Sequence, residues 1–142
     1  MALSSNALCA KAKAMYGYRI GEEGYSDLCR KQSLSEMVTY LKSQTKYSGV
    51  LEDINVRNVH RRQVEAALNK EYFERCARLM KYAPKKNQDF YSQEVIGIEV
   101  QLIVDKVVSI KEKDQASFSL EIPDYLASKM SFNIYGLINV DN

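Results

Sequence analysis

Leu34, Met37, Val38 and Leu41 stand at i, i+3, i+4 and i+7, the spacing of one face of an α-helix. Ser33-Leu34-Ser35-Glu36 opens that run as a capping box, in which the Ser33 hydroxyl takes the amide three residues on and Glu36 reaches back. The pattern predicts a helix to about Ser43 that buries all four apolar residues. Further on, Val64, Ala67, Leu68, Tyr72, Cys76, Leu79 and Met80 recur three or four residues apart, and Arg61, Arg62, Glu65, Lys70, Glu71, Glu74, Arg75 and Arg78 fill the other side. This is a long helix, opened by Asn55 or Asn58, reaching about Tyr82 and stopped by Pro84. Glu71 with Arg75 and Glu74 with Arg78 support it at i, i+4 in the favourable order.

Weaker patterns complete the N-terminal side. An alanine-rich stretch predicts a first helix from about Ser5 to Ile20, followed by a turn at Gly21 and Gly24. A short helix from Ser26 to Lys31 is anchored by Tyr25 and Leu28. Thr45 to Gly49 is a break, and Gly49 to Ile54 a short helical piece.

Beyond Pro84 the periodicity changes. From Asn87 to about Glu112 the chain is apolar almost all round, through Phe90, Val95, Ile96, Ile98, Val100, Leu102, Ile103, Val104, Val107, Val108 and Ile110. Such a helix is expected at the centre of a bundle. A buried strand over Val100 to Val108 is the rival reading, because so many of these residues are β-branched; helical neighbours and the lack of a partner strand favour the helix. Lys111 to Ser117 reads as a polar linker and Phe118 to Ile122 as a short strand or extended arm. Pro123 fits the first turn of a short helix to Lys129. An apolar, aromatic segment from Phe132 to Val140 follows and ends on Asp141 and Asn142 without a clear cap. The predicted fold is all-α, a bundle of about five to six helices with a short extended arm near the C-terminus. Only six Gly and two Pro interrupt it.

The charge balance narrows the partners. Twenty basic and 18 acidic residues give +2, without the concentrated excess that nucleic-acid binding requires. Cys9, Cys29 and Cys76 are odd in number and far apart, so neither a disulfide framework nor a zinc site is indicated. They read as reduced thiols in the cytosol. Val95 to Ile110, the most apolar stretch, is too short and too charged to span a bilayer, and no signal peptide precedes it.

A search for catalytic chemistry finds none. His60, the single histidine, sits in Arg57-Asn58-Val59-His60-Arg61-Arg62 without a partnered nucleophile or carboxylate nearby in sequence. Neither GxxxxGK[ST] nor a GxGxxG helix opening appears, and Glu22-Glu23 and Glu52-Asp53 read as solvated or capping groups. No catalytic, cofactor-binding or metal-ligating residue is expected. Ten tyrosines are the oddest feature, and Tyr16, Tyr18, Tyr25, Tyr40 and Tyr47 fall in the first third. Tyrosine is enriched at interfaces, so Tyr16 and Tyr18, together with Arg57, His60, Arg61 and Arg62, are the expected partner contacts.

Three stretches resemble a known family. Leu8-Cys9-Ala10-Lys11-Ala12-Lys13-Ala14-Met15 is similar to an N-terminal helix in which basic and small residues alternate. Tyr25-Ser26-Asp27-Leu28, Ser33-Leu34-Ser35-Glu36 and Tyr40-Leu41-Lys42-Ser43-Gln44-Thr45-Lys46-Tyr47 with Leu51 are similar to its short helix, capped helix and "Leu … Thr-x-Tyr … Leu" ending. Phe90-Tyr91 and the helix Ile96 to Val107 lie where the family has a charged, apolar helix, though without its Asn or its Arg-x-Lys end. The order of these stretches, from Leu8 to Ser109, resembles the family of V-type (A/V-type) ATPase C subunits, whose eukaryotic members are the d subunits.

The resemblance implies an all-helical, non-catalytic central-stalk component. Such a component joins the central shaft to the membrane rotor ring for ion transport and is peripheral on the cytoplasmic face through protein contacts. It implies no cofactor. It also implies that residues 1–112 match one lobe of a three-lobed funnel, so that the chain is a piece of the funnel or a short relative. Residues 113–142 are then an extension that packs on the lobe or self-associates over the apolar surface left by missing lobes. A stand-alone helical adaptor that binds a peptide or helix is the alternative. An enzyme or nucleic-acid binder built on His60 and its arginines is a third reading.

Overall fold

A computed structural model describes residues 2–85, 88–113, 118 and 120–140, with the backbone alone at 2–5 and 88. The helix start at Asn87, the linker through Ser117, Ser119 of the arm and the terminal Asp141 and Asn142 lie outside the described residues. The described chain carries six α-helices: α1 (Ala2–Tyr16), α2 (Glu22–Cys29), α3 (Leu34–Gln44), α4 (Arg61–Tyr82), α5 (Gln88–Lys111) and α6 (Asp124–Ala127). Two 3-10 helices, Val56–Asn58 and Ile134–Asn139, join them. No strand occurs among the described residues. The expected all-α class stands, and Val100 to Val108 is helix.

The chain divides into two compact units, residues 9–72 and residues 1–8 with 73–142. In the first, Val38, Leu41, Leu51 and Val64 form the buried core, with Ile20, Leu28, Tyr47, Ile54 and Leu68 packed around it. α3 starts as its sequence requires: the Glu36 amide donates to Ser33 Oγ at 3.2 Å. Glu36 Oε2 reaches back, but to the amide of Gln32 at 3.0 Å. Lys42 Nζ ties α3 to the following turns by donating to the carbonyls of Glu52 at 3.2 Å and Ile54 at 2.7 Å. Met37, expected inside, is 36% exposed; the face is narrower than its apolar positions.

Several elements differ from expectation: α1 stops at Tyr16 rather than about Ile20, α2 starts at Glu22 rather than about Ser26, and residues 49–53 form turns rather than a helical piece. Gly24 lies within α2, and Gly21 is its N-cap. A Cβ on Gly24 would meet Ile20 Cγ2 at 2.6 Å, so glycine lets Ile20 fold back onto the helix. Asn55 caps the 3-10 helix, its Oδ1 accepting from the Arg57 amide at 3.0 Å. α4 opens instead at His60, whose carbonyl accepts from the Gln63 and Val64 amides and whose own amide donates to Gln63 Oε1 at 3.1 Å. Pro123 precedes α6, accepting from the amides of Leu126 and Ala127 rather than occupying the first turn.

The second unit contains Phe73, Ala77 and Met80 of α4, Val95, Ile98 and Leu102 of α5, and Ile122, Leu126 and Ile134 from the C-terminal segment. Here the expectation for α5 fails. It is not buried all round: Ile96, Val100, Ile103, Val104, Val107 and Val108 are exposed. Its inward face carries Glu99, Lys106 and Ser109 beside Val95, Ile98 and Leu102. The buried charges are satisfied by the C-terminal segment. Glu99 accepts from the amide of Ser131 and from its hydroxyl at 3.0 Å. Lys106 Nζ donates to the carbonyl of Ile138 at 3.4 Å and lies 5.3 Å from the centre of the Phe118 ring. α5 ends with Lys113 at φ 55°, the left-handed residue that often closes a helix.

Candidate partner-binding surfaces

Tyr16 and Tyr18 flank the end of α1. Its last turn tightens through amide donation from Gly17 to Lys13, Tyr18 to Met15 and Arg19 to Tyr16. Both rings stay largely in solvent, 61% and 49% exposed. Each carries a cation on its face: the Arg19 guanidinium lies 4.0 Å from the Tyr16 ring centre, and Lys46 Nζ 4.5 Å from that of Tyr18. Lys46 also donates to the carbonyl of Gly17 at 3.3 Å. A cation is favoured there because the end of a helix leaves carbonyls without partners and carries the negative end of the dipole. Lys31 Nζ sits 5.1 Å from the Tyr40 ring centre in the same unit. The tyrosine signal in the sequence thus becomes a set of aromatic rings capped by cations, each contact contributing about 0.5–1 kcal/mol at an exposed site.

Arg57, His60, Arg61 and Arg62 lie together on a different stretch, from the 3-10 helix Val56–Asn58 to the first turn of α4. All four are exposed. Arg61 Nε pairs with Glu65 Oε1 at 2.7 Å, an exposed pair worth little to stability. The His60 imidazole has no hydrogen-bond partner among the described residues, so no base-and-orienter arrangement is built on it. Tyr16 and Tyr18 lie at the end of α1, and the other four expected contact residues on the stretch that leads into α4.

Sequence reasoning missed the third surface. The exposed aliphatic face of α5 was hidden by its own pattern, since a helix that is apolar all round does not say which side faces the core. It also missed the Glu99 and Lys106 contacts, because charged residues are rarely fully buried. Among the described residues, no three His, Cys, Asp or Glu are grouped to hold a metal ion. No described helix is long and apolar enough to cross a membrane. Burial raises the pKa of the Cys76 thiol, which makes it less reactive, not more.

Comparison with curated proteins gives no match, and comparison with solved structures gives none. A family model described as "ATP synthase (C/AC39) subunit" matches residues 8–142. The match includes the three stretches whose order resembles the V-type ATPase C subunits and continues beyond Ser109 through the C-terminal segment. The chain therefore belongs to the ATP synthase (C/AC39) subunit family, that of the C and d subunits of V-type ATPases.

Proposed function

We propose that this chain is a non-catalytic central-stalk subunit of a V-type ATPase, or one lobe of it, that links the shaft to the membrane rotor ring on the cytoplasmic face. The observation that carries the reading is the family match across residues 8–142. The physical role is mechanical. Torque passes through helices whose packed interiors deform little, such as the 22-residue α4 and 24-residue α5. In this reading residues 1–112 form the lobe and 113–142 its extension. The part-buried hydrogen bonds that Ser131 donates to Glu99 hold the extension on α5.

Tyr16 and Tyr18 form one contact patch, and Arg57, His60, Arg61 and Arg62 the other. Both suit protein partners: the rings add apolar area, and the arginines provide directional donors. The test is binding of the purified chain to shaft proteins and to detergent-solubilised rotor ring, measured separately. Stoichiometric binding to both is expected. Replacing Tyr16 and Tyr18 by Ala, or Arg57 and Arg62 by Ala, should each weaken one of the two contacts about tenfold or more, as hot-spot truncations do. A chain that binds neither assembly would overturn the proposal.

A further inference from the structure

The end of α4, the first turns of α5 and the segment around α6 enclose a cavity of about 180 Å³. It lies wholly within the second unit. Buried Met80 and Val95 form its floor. Half-buried Tyr91 and Tyr125 line it, and exposed Asp89, Ser92 and Lys129 stand where it opens to solvent. A cavity of roughly 150 Å³ admits benzene, so this one takes a single ring and little more.

The polar groups at the mouth define the rest of the ligand. The Ser92 hydroxyl already donates to the carbonyl of Asp89, so it can only accept. A carboxylate also only accepts, and an ammonium only donates. A tight turn after α6, closed by the Lys129 amide donating to the Leu126 carbonyl, holds Lys129 beside Tyr125, with Nζ 5.6 Å from the ring centre. Lys81 lies 5.3 Å from the same ring centre but does not line the cavity. Among the described lining residues there is therefore one acid and one base, and neither makes an ion pair with a described residue. A ligand of either charge gains at one of them and loses at the other. A neutral hydroxyl donates and accepts at once, and suits both.

We infer that the cavity binds a phenol. The ring packs against Tyr91 and Tyr125 over Met80 and Val95, where aromatic pairing adds to apolar burial. The hydroxyl donates to Asp89 and accepts from Lys129. The cavity shares no residue with the two contact patches assigned to the rotary machine, so the two readings fail separately.

Titration of the isotope-labelled full chain, followed by NMR, tests it. The probe is 4-methylphenol, with toluene, benzoate and benzylamine as comparisons. Resonances of Met80, Ser92, Val95 and Tyr125 should shift together, and 4-methylphenol should bind about tenfold tighter than toluene. Asp89→Ala and Lys129→Met should each weaken 4-methylphenol severalfold and leave toluene unchanged, a selectivity that a merely structural role would not produce. Ser92→Trp, at an exposed helix position, should fill the mouth and abolish binding of both with unchanged circular dichroism. Shifts scattered over the surface, toluene binding as well as 4-methylphenol, or full binding by the Ser92→Trp chain would overturn the inference. Tighter binding of benzoate or benzylamine would overturn it as well, by showing that one charge governs the site. N-acetyltyrosine amide separates the two sources of a phenol: shifts at the same residues assign the ring to a tyrosine of a partner protein, and its exclusion while 4-methylphenol binds assigns it to a free small molecule.

Discussion

α3 and α5 contain similar residue types but relate to their cores in opposite ways. In α3 the apolar positions are few, one face is apolar and the rest polar, and that face is buried: Val38 is wholly inside and Leu41 nearly so. In α5 apolar residues surround the helix, and the structure buries the side that carries Glu99, Lys106 and Ser109. The reason is partnership. The C-terminal segment brings an amide and hydroxyl at Ser131 and a carbonyl at Ile138, and these satisfy charges that a purely apolar neighbour would not. Periodicity thus identifies a buried face only when the opposite face is polar. A helix without that contrast is oriented by the hydrogen bonds available to its few polar residues.

That contrast can be tested by substitution. The largest expected effects lie at the two cores. Leu51→Ala in one unit and Leu126→Ala in the other, both wholly buried, should each cost about 2–5 kcal/mol in denaturant unfolding. Equal losses would show that both cores carry stability even though only one was predictable by periodicity. Glu99→Ala should cost about 1.5–3 kcal/mol by removing the charge-assisted hydrogen bonds that the buried carboxylate accepts from exposed Ser131, and Glu99→Gln clearly less. If Glu99→Ala is neutral, hydrogen bonding does not orient α5.

Smaller effects sharpen the comparison. Ser33→Ala removes the oxygen that caps α3 and should cost about 1 kcal/mol. Lys113→Gly should stabilise by a few tenths to about 1 kcal/mol, since glycine takes the left-handed conformation without steric cost. Thiol labelling gives the mildest contrast. The raised pKa of half-buried Cys76 should make it the slowest of the three cysteines to alkylate near neutral pH, behind exposed Cys9 and Cys29. Cys76 labelling fastest would contradict its burial.

Much of this was legible in the sequence. The α3 cap, the stop at Pro84, the Glu74–Arg78 pair, which closes at 2.7 Å, and the absence of strands from the described residues all follow from local rules. So did the family, through the order of its helical stretches. What local rules could not supply depends on distant contacts. Met37 was misplaced because the buried face of α3 centres on Val38 and Leu41 and leaves Met37 at its edge. Asn55 and Asn58 were misplaced because a 3-10 turn intervenes before α4. Of the site, the expected contact residues were readable as residue types, but their surroundings were not, because Lys46 reaches Tyr18 from a loop 28 residues away in sequence.

The central claim is the orientation of α5, and cysteine accessibility along that helix measures it most directly. In a background lacking Cys9, Cys29 and Cys76, single cysteines are placed at 96, 100, 103 and 107 and, separately, at 98 and 102, and labelled in dilute solution. Rapid labelling at the first four positions with protection at the other two is the expected result. Uniform protection around the helix, or the reverse pattern, would contradict it.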